Sequence, residues 1–293
     1  MTTLSPLARA SSAVPDAPAI TPADVALAPT WRAAWSVRTA LLMAAMADYA
    51  YRSPAELELR LTAGGLHLVG EWDIGGVRAF LAFAPGQLAV LAFRGTAEAA
   101  DWAINLDAEL IPMPGRPRIR VHRGFWDAYA RLGPEIARAV DFYAPAGLGF
   151  YVTGHSLGGA LAQIATAALE RDNLAACYTF GSPRVATVDF DEQVKAPHYR
   201  VVDNWDLVPG VPPATPSLFG VGGYRHTGDP RLLRGPAPTE ALRRDRDLVP
   251  RFVVDLASLL AWPFTHRLSS VGDHMIWRYH AKLAGIVAGR AKG

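Results

Sequence analysis

The chain has 293 residues, of which 51% are hydrophobic and 19% are charged, a composition typical of a protein with a folded apolar core. The formal net charge is only +2, so the charge balance does not favour a nucleic-acid-binding protein. The chain has one cysteine, which excludes an intrachain disulfide. No uncharged apolar stretch reaches the length of about 18 residues that predicts a transmembrane segment.

Residues 1–30 are rich in Pro, Ala, Ser and Thr and lack the compact apolar stretch of a signal peptide. We therefore expect a mobile tail over these residues. Nothing in the composition marks a domain boundary after it, so we expect a single domain over residues 31–293. The cytoplasm is the expected location, and secretion by a route without a recognisable signal peptide stays open.

The first predicted elements are helices followed by strands. Apolar spacing predicts a helix over residues 31–51, and Ser53-Pro54 predicts the start of a second one. Three strand-like runs follow, separated by turns that contain glycine or proline: LHLVGEW, VRAFLAFA and QLAVLAF. Because no helix lies between these strands, we expect them to pair antiparallel at one edge of a sheet.

Later in the chain, strands and helices alternate. VHRGFWDAYARLGPEIARAVDFYA predicts a helix with one Gly-Pro interruption, and GLGFYVT, LAACYTFGS and HYRVVDN predict strands. LGGALAQIATAALERD and HMIWRYHAKLAGIVAG predict helices. These strands are mostly apolar, which is typical of a parallel sheet that is covered on both faces. The sequence therefore predicts an α/β fold with a mixed, mostly parallel central sheet and helices on both faces.

A candidate nucleophile lies between a predicted strand and a predicted helix. Residues 154–158, GHSLG, match G-x-S-x-G in the strand–turn–helix context that this motif requires. Such a turn exposes the Ser156 hydroxyl at the carboxyl edge of the sheet, and it places the Leu157 N–H at a helix N-terminus, where it can stabilise an oxyanion. The alternative is a glycine-rich turn that only serves packing.

A nucleophilic serine needs a base and an acid, and in an α/β sheet of this kind both follow the serine in the chain. Asp203 and Asp206 are the candidate acids, and their spacing does not choose between them. Each could instead form a turn or cap a helix. The histidines that follow Ser156 in the chain are His198, His226, His266, His274 and His280. His198 precedes the acid and His226 lies in a strand-like patch, whereas His274 directly precedes the last helix. A structural role is the alternative for each histidine.

A second oxyanion donor is found at the end of a predicted strand. LAVLAFRGT runs into a Gly-Thr turn, where Thr96 offers both its backbone N–H and its hydroxyl. The alternative is that Thr96 caps the segment that follows.

Several stretches together resemble one known family. LAFRGT, VHRGFWDAY, VTGHSLGGALA, FGSPRV, NWDLVPGVPP and GDHMIW occur in the order that is found in the class 3 lipases, the fungal-lipase-like α/β hydrolases. The resemblance implies an α/β-hydrolase fold with Ser156 as nucleophile, Asp206 as acid and His274 as base. It also implies an oxyanion hole formed by Thr96 and Leu157, a structural role for His226, and a lid or near-site helix at DWAINLD.

The resemblance implies a serine ester hydrolase that acts on acylglycerol or related lipid esters through an acyl-enzyme, without a metal or organic cofactor and with transient contact to a lipid surface. A non-lipid carboxylesterase, such as one for hydroxycinnamate esters, and a catalytically silent lipase-like binding protein are the alternatives. The fungal members are secreted and disulfide-bonded, whereas the single cysteine of this chain excludes an intrachain disulfide. Residues 229–271 have no counterpart and are the candidate for a cap insertion. Apolar spacing within residues 249–264 predicts a helix, which either buries its apolar face in the core or covers the acyl site and docks on lipid.

Overall fold

The computed structural model describes residues 19–96, 109–194, 196–204, 206, 208–212, 214, 223–233, 243–244 and 274–290. The α-helices are α1 (Pro22–Ala26), α2 (Val37–Tyr49), α3 (Pro54–Ala63), α4 (Arg123–Ala130), α5 (Gly133–Tyr143), α6 (Leu157–Leu169), α7 (Asp189–Gln193) and α8 (Ile276–Arg290). The strands are β1 (His67–Ile74), β2 (Val77–Ala84), β3 (Leu88–Phe93), β4 (Leu110–Met113), β5 (Arg116–His122), β6 (Gly149–His155), β7 (Leu174–Phe180), β8 (His198–Asp203), β9 (Asp229–Leu233) and β10 (Arg243–Arg244).

The central sheet has the strand order β1-β2-β3-β6-β7-β8-β9-β10. Strands β1, β2 and β3 pair antiparallel, as their lack of intervening helices predicted. Strands β3, β6, β7, β8 and β9 pair parallel, and β10 adds an antiparallel edge. The predicted fold class, a mixed and mostly parallel sheet with helices on both faces, is confirmed. Because β6 and β8 are parallel, their carboxyl ends lie at the same edge of the sheet.

Alternation along the strands divides the apolar core into two layers. Phe80 and Val90 belong to one cluster together with residues of α1, α2, α3 and α8. Their neighbours Leu81 and Leu91 belong to the other cluster, together with residues of α4, α5 and α6. Successive side chains of a strand point to opposite faces, so an apolar strand supplies both layers. The helix α8, which follows His274, packs against α2 on the first of these faces.

The prediction of a mobile tail over residues 1–30 is wrong for residues 19–30. Thr21 and Asp24 form a capping box at the start of α1, and Ile20, Val25 and Ala28 are buried in the core. The Tyr151 hydroxyl also donates a hydrogen bond to a backbone carbonyl of this segment. Burial of apolar side chains holds this segment against the domain, while residues 1–18 lie outside the described residues.

Two predicted helices begin later in the chain than their patterns indicated. The helix expected over residues 31–51 begins at Val37, where the Ser36 side chain accepts a hydrogen bond from a backbone N–H of the first turn. The helix expected from residue 121 begins at Arg123, because His122 ends β5 and caps α4. The Gly-Pro interruption starts a separate helix, α5. The β4–β5 hairpin was not predicted, since its strands carry several arginines and prolines.

The predicted cap insertion at residues 229–271 needs a correction at its beginning. Strand β9 pairs parallel with β8, and β10 pairs with β9, so residues 229–233 and 243–244 extend the central sheet. The helix predicted within residues 249–264 and the predicted lid segment DWAINLD lie outside the described residues. Over the ranges that the structure describes, no helix combines the length and the apolar character needed to cross a membrane.

Candidate active site

Ser156 lies in a sharp turn between β6 and α6. Its backbone has φ 58° and ψ −128°, a conformation that residues with a Cβ rarely adopt. The flanking glycines allow this turn. A Cβ on Gly154 would lie 2.1 Å from the Gly158 carbonyl oxygen, and one on Gly158 would lie 2.2 Å from the Phe93 carbonyl oxygen. Glycines at both positions therefore let strand, helix and the neighbouring β3 approach closely enough to hold Ser156 at the carboxyl edge of the sheet.

A buried carboxylate–imidazole pair lies beyond the carboxyl end of β8. His274 Nδ1 is 2.8 Å from Asp206 Oδ2. The other carboxylate oxygen of Asp206 accepts a hydrogen bond from the Val208 backbone N–H at 2.9 Å. The Tyr279 hydroxyl donates to Asp206 Oδ2 at 2.5 Å. Burial raises the pKa of Tyr279, and the Asp206 charge raises it further, so Tyr279 stays a phenol and a donor.

The two candidate acids have different partners. Asp203 Oδ2 is 2.7 Å from Lys282 Nζ, and the Asp203 backbone N–H donates to the Tyr279 hydroxyl at 3.1 Å. Of the two aspartates, Asp206 is the one that contacts a histidine among the described residues. The spacing in the sequence left this choice open, and the geometry favours Asp206.

The other candidate histidines have structural surroundings. His226 Nε2 contacts the Pro209 carbonyl oxygen at 2.7 Å, and the buried His198 contacts Thr179 Oγ1 at 3.1 Å. Burial, with a contribution from the Arg200 charge, lowers the pKa of His198 to about 3. Burial also lowers the pKa of His280 to about 4. His266 lies outside the described residues.

Three buried polar atoms at this edge lack a hydrogen-bond partner within the described part of the chain. They are Ser156 Oγ, His274 Nε2 and Thr96 Oγ1. Thr96 follows Gly95, and a Cβ on Gly95 would lie 3.0 Å from Ser156 Cβ, so the loop after β3 passes directly against the serine. Buried polar groups are rarely left unpaired in a structure, and those that are often have a chemical role. Leu157 is the first residue of α6, so its N–H is at a helix N-terminus beside Ser156.

Sequence reasoning assigned no role to several residues that shape this site. Gly181 has φ +56°, and a Cβ there would lie 2.5 Å from Asp206 Oδ2 and 3.2 Å from His274 Cε1. The glycine of FGSPRV was therefore an available signal. Tyr279, Tyr51 and His155 were also missed. Their contacts form between distant parts of the chain, and no spacing in the sequence predicts such contacts.

A serine at a strained strand-to-helix turn, with a His–carboxylate pair at the same edge of a mostly parallel sheet, is the arrangement found in α/β-hydrolase serine enzymes. The resemblance to the class 3 lipases is confirmed, because the family model described as Lipase (class 3) matches residues 90–215.

Curated relatives with this similarity are lipases and phospholipases. The chain is 36% identical over 157 residues to secreted mono- and diacylglycerol lipase 1 of Fusarium solani, covering 50% of this chain and 44% of that protein. It is 32% identical over 177 residues to phospholipase A1-II 1 of Oryza sativa, covering 50% of this chain and 45% of that protein. The chain thus spans less than half the length of these relatives.

A solved structure of Rhizomucor miehei triacylglyceride lipase has the same fold. It superposes with a TM-score of 0.62 at 25% identity, covering 83% of this chain and 95% of that one. A solved structure with the same values is described as a triacylglycerol lipase whose catalytic centre is a serine-protease triad.

Proposed function

We propose that the protein is a carboxylic ester hydrolase that cleaves acylglycerol or related lipid esters through an acyl-enzyme on Ser156. The observation that carries this proposal is the 2.8 Å contact between His274 Nδ1 and Asp206, which leaves His274 Nε2 without a partner among the described residues. A carboxylate at Nδ1 fixes the tautomer in which Nε2 can accept a proton. Ser156 Oγ, similarly unpartnered, is the hydroxyl that would supply that proton.

In the proposed reaction, Ser156 Oγ attacks the ester carbonyl carbon while His274 Nε2 takes the hydroxyl proton. Asp206 orients the imidazole and stabilises its charged form. The negative charge that develops on the carbonyl oxygen is stabilised by the N–H groups of Thr96 and Leu157 and by the Thr96 hydroxyl. His274 then protonates the leaving alcohol. Water, activated by the same imidazole, attacks the acyl-enzyme and releases the carboxylic acid.

The substrate class is supported by two relatives, a mono- and diacylglycerol lipase and a phospholipase A1. All of these names describe cleavage of an ester between a fatty acid and a glycerol unit. Transient contact with a lipid surface belongs to the same proposal, because such esters gather in droplets and membranes. The cytoplasm stays the predicted location, although the Fusarium solani relative is named as secreted, and fractionation of producing cells tests it.

The test combines a serine-directed probe with a panel of esters. The wild-type chain should react with a fluorophosphonate and hydrolyse acylglycerols, and Ser156→Ala should lose both activities, with kcat falling about 10⁴-fold or more because the catalytic residues act as a unit. Emulsified triacylglycerol, monoacylglycerol, phospholipid and hydroxycinnamate esters should be compared at equal enzyme concentration. Hydrolysis by a folded Ser156→Ala protein would contradict the mechanism, and preference for hydroxycinnamate esters would contradict the substrate class.

A further inference from the structure

A second set of hydrogen bonds reaches the candidate base from its backbone side. The Tyr51 hydroxyl is 2.8 Å from His155 Nδ1, and His155 Nε2 is 2.5 Å from the His274 carbonyl oxygen. Tyr51 lies just after α2, His155 directly precedes Ser156, and His274 lies two residues before the start of α8. This chain of contacts therefore connects three separate parts of the fold at the point where the proposed reaction takes place.

The chemistry of these contacts fixes the direction of each hydrogen bond. A carbonyl oxygen only accepts, so His155 Nε2 carries the proton and donates to the His274 carbonyl. In a neutral imidazole the other nitrogen then accepts, so the Tyr51 hydroxyl donates to His155 Nδ1. Burial lowers the pKa of His155, and the nearby His274 charge lowers it further, which keeps His155 neutral.

Tyr51 also contacts the loop that carries Thr96. The Tyr51 hydroxyl lies beside the Gly95 backbone, which opposes the rise in the pKa of Tyr51 that burial causes. A Cβ on Gly95 would lie 2.2 Å from the Tyr51 hydroxyl and 2.6 Å from the His155 carbonyl oxygen. Glycine at this position is what lets the hydroxyl reach both the loop and the imidazole. One phenol oxygen therefore joins the loop after β3 to the turn that holds Ser156.

We propose that Tyr51 and His155 are positioning residues, which hold the backbone of His274 and the Gly95–Thr96 loop in place around Ser156. This inference rests on the proposed function, in which His274 is the base. Asp206 holds the imidazole of His274 at one end and His155 holds its carbonyl, so two attachments fix the ring. The rings of His155 and His274 are 4.5 Å apart, and a neutral His155 adds no repulsion when His274 takes up the serine proton.

The test is a double-mutant cycle with a conservative rescue. Tyr51→Phe should lower kcat for a soluble short-chain ester about 3- to 10-fold, and His155→Leu about 10- to 100-fold, with little change in KM. The loss in the double variant should be smaller than the product of the two single losses, because Tyr51 acts on His274 through His155. His155→Gln, which retains a side-chain N–H donor, should recover much of the lost rate. Tyr151→Phe, which removes a buried hydroxyl far from this edge, serves as the matched control.

Two further measurements separate positioning from simple stabilisation. The rate of fluorophosphonate labelling should fall in proportion to kcat. The His274 Nδ1 proton, followed by NMR without any ester, should exchange faster with water in Tyr51→Phe and in His155→Leu than in the wild type. Unchanged kcat and unchanged proton exchange in these folded variants would overturn the inference, and so would losses that simply add in the double variant. Absence of labelling in the wild type would instead overturn the proposed function.

Discussion

The variant Gly181→Ala displaces the proposed acid, Asp206, without replacing any of the proposed catalytic residues. Gly181 follows β7, and its φ of +56° lies in the left-handed region. A Cβ at this position would lie 2.5 Å from Asp206 Oδ2, 3.0 Å from the Tyr279 hydroxyl and 3.2 Å from His274 Cε1. The added methyl group thus meets the oxygen that accepts from both His274 and Tyr279.

The size of the effect follows from this geometry. Real Cβ contacts are essentially never shorter than 3.0 Å, so the carboxylate oxygen must move by about 0.5 Å or the backbone must shift. A misplacement of about 1 Å in a catalytic group costs about 100-fold in rate, so we expect kcat to fall about 10- to 100-fold. The left-handed backbone adds a stability cost of about 1–2 kcal/mol for alanine. We therefore expect a melting temperature lower by only a few degrees.

Gly86→Ala is the matched control. Gly86 has φ +70°, and a Cβ there would meet nothing within 4 Å, so the variant carries a similar backbone strain without the contact to Asp206. Both variants should be compared by thermal melting and by kcat on a soluble ester. Similar melting temperatures with a lower kcat for Gly181→Ala alone would support the reasoning. Equal kcat values for the two variants would refute the reasoning, because the predicted displacement of the Asp206 carboxylate would then have no effect on the rate.

Three further predictions concern the acid, the oxyanion donor and a buried histidine. Asp206→Asn should lower kcat about 10³- to 10⁴-fold, whereas Asp203→Asn, which breaks the buried pair with Lys282, should mainly lower the melting temperature; the reverse ranking would exclude Asp206 as the acid. Thr96→Val should lower kcat about 10- to 1000-fold with little change in KM, and an unchanged kcat would leave Thr96 only its backbone N–H. Burial lowers the pKa of His280 in the folded chain from 6.5 to about 4, so between these pH values the unfolded chain binds more protons than the folded chain. The stability that the buried, neutral His280 contributes is therefore lost as the pH falls from 6.5 to about 4. Denaturant unfolding should show that His280→Gln removes about 3 kcal/mol of this pH dependence, and an equal slope in both proteins would contradict the assignment.

The strands were predictable where the sheet buries both of their faces. VRAFLAFA predicts β2 residue for residue, because a strand that is covered on both faces is mostly apolar, and Arg78 is its one charged residue. Strand β5, RPRIRVH, exposes part of its length, and its arginines conceal the strand pattern. Residues 19–30 were predicted to be part of a tail because they contain few large apolar residues. Their burial depends on a surface that other parts of the chain provide.

The site was predictable where its chemistry is local in sequence. Ser156 follows from five consecutive residues, since the turn needs small neighbours on both sides. The choice between Asp203 and Asp206 needed the resemblance, because two carboxylates three residues apart look alike until Lys282 and His274 approach them. Tyr51 and His155 were out of reach for the same reason. They lie 104 residues apart in the chain, and the other partner of His155 is the backbone carbonyl of His274, which no residue type in the sequence marks.

In the proposed mechanism, the backbone conformation at position 156 has opposite effects on stability and on hydrolysis. With φ 58° and ψ −128°, this position suits glycine better than any residue that has a side chain, by about 1–2 kcal/mol. Serine occupies this position against that preference, and in the proposed reaction the same twist presents its hydroxyl to the ester. A library randomised at position 156 should therefore yield glycine when survivors are selected for heat tolerance, and serine when they are selected for ester cleavage.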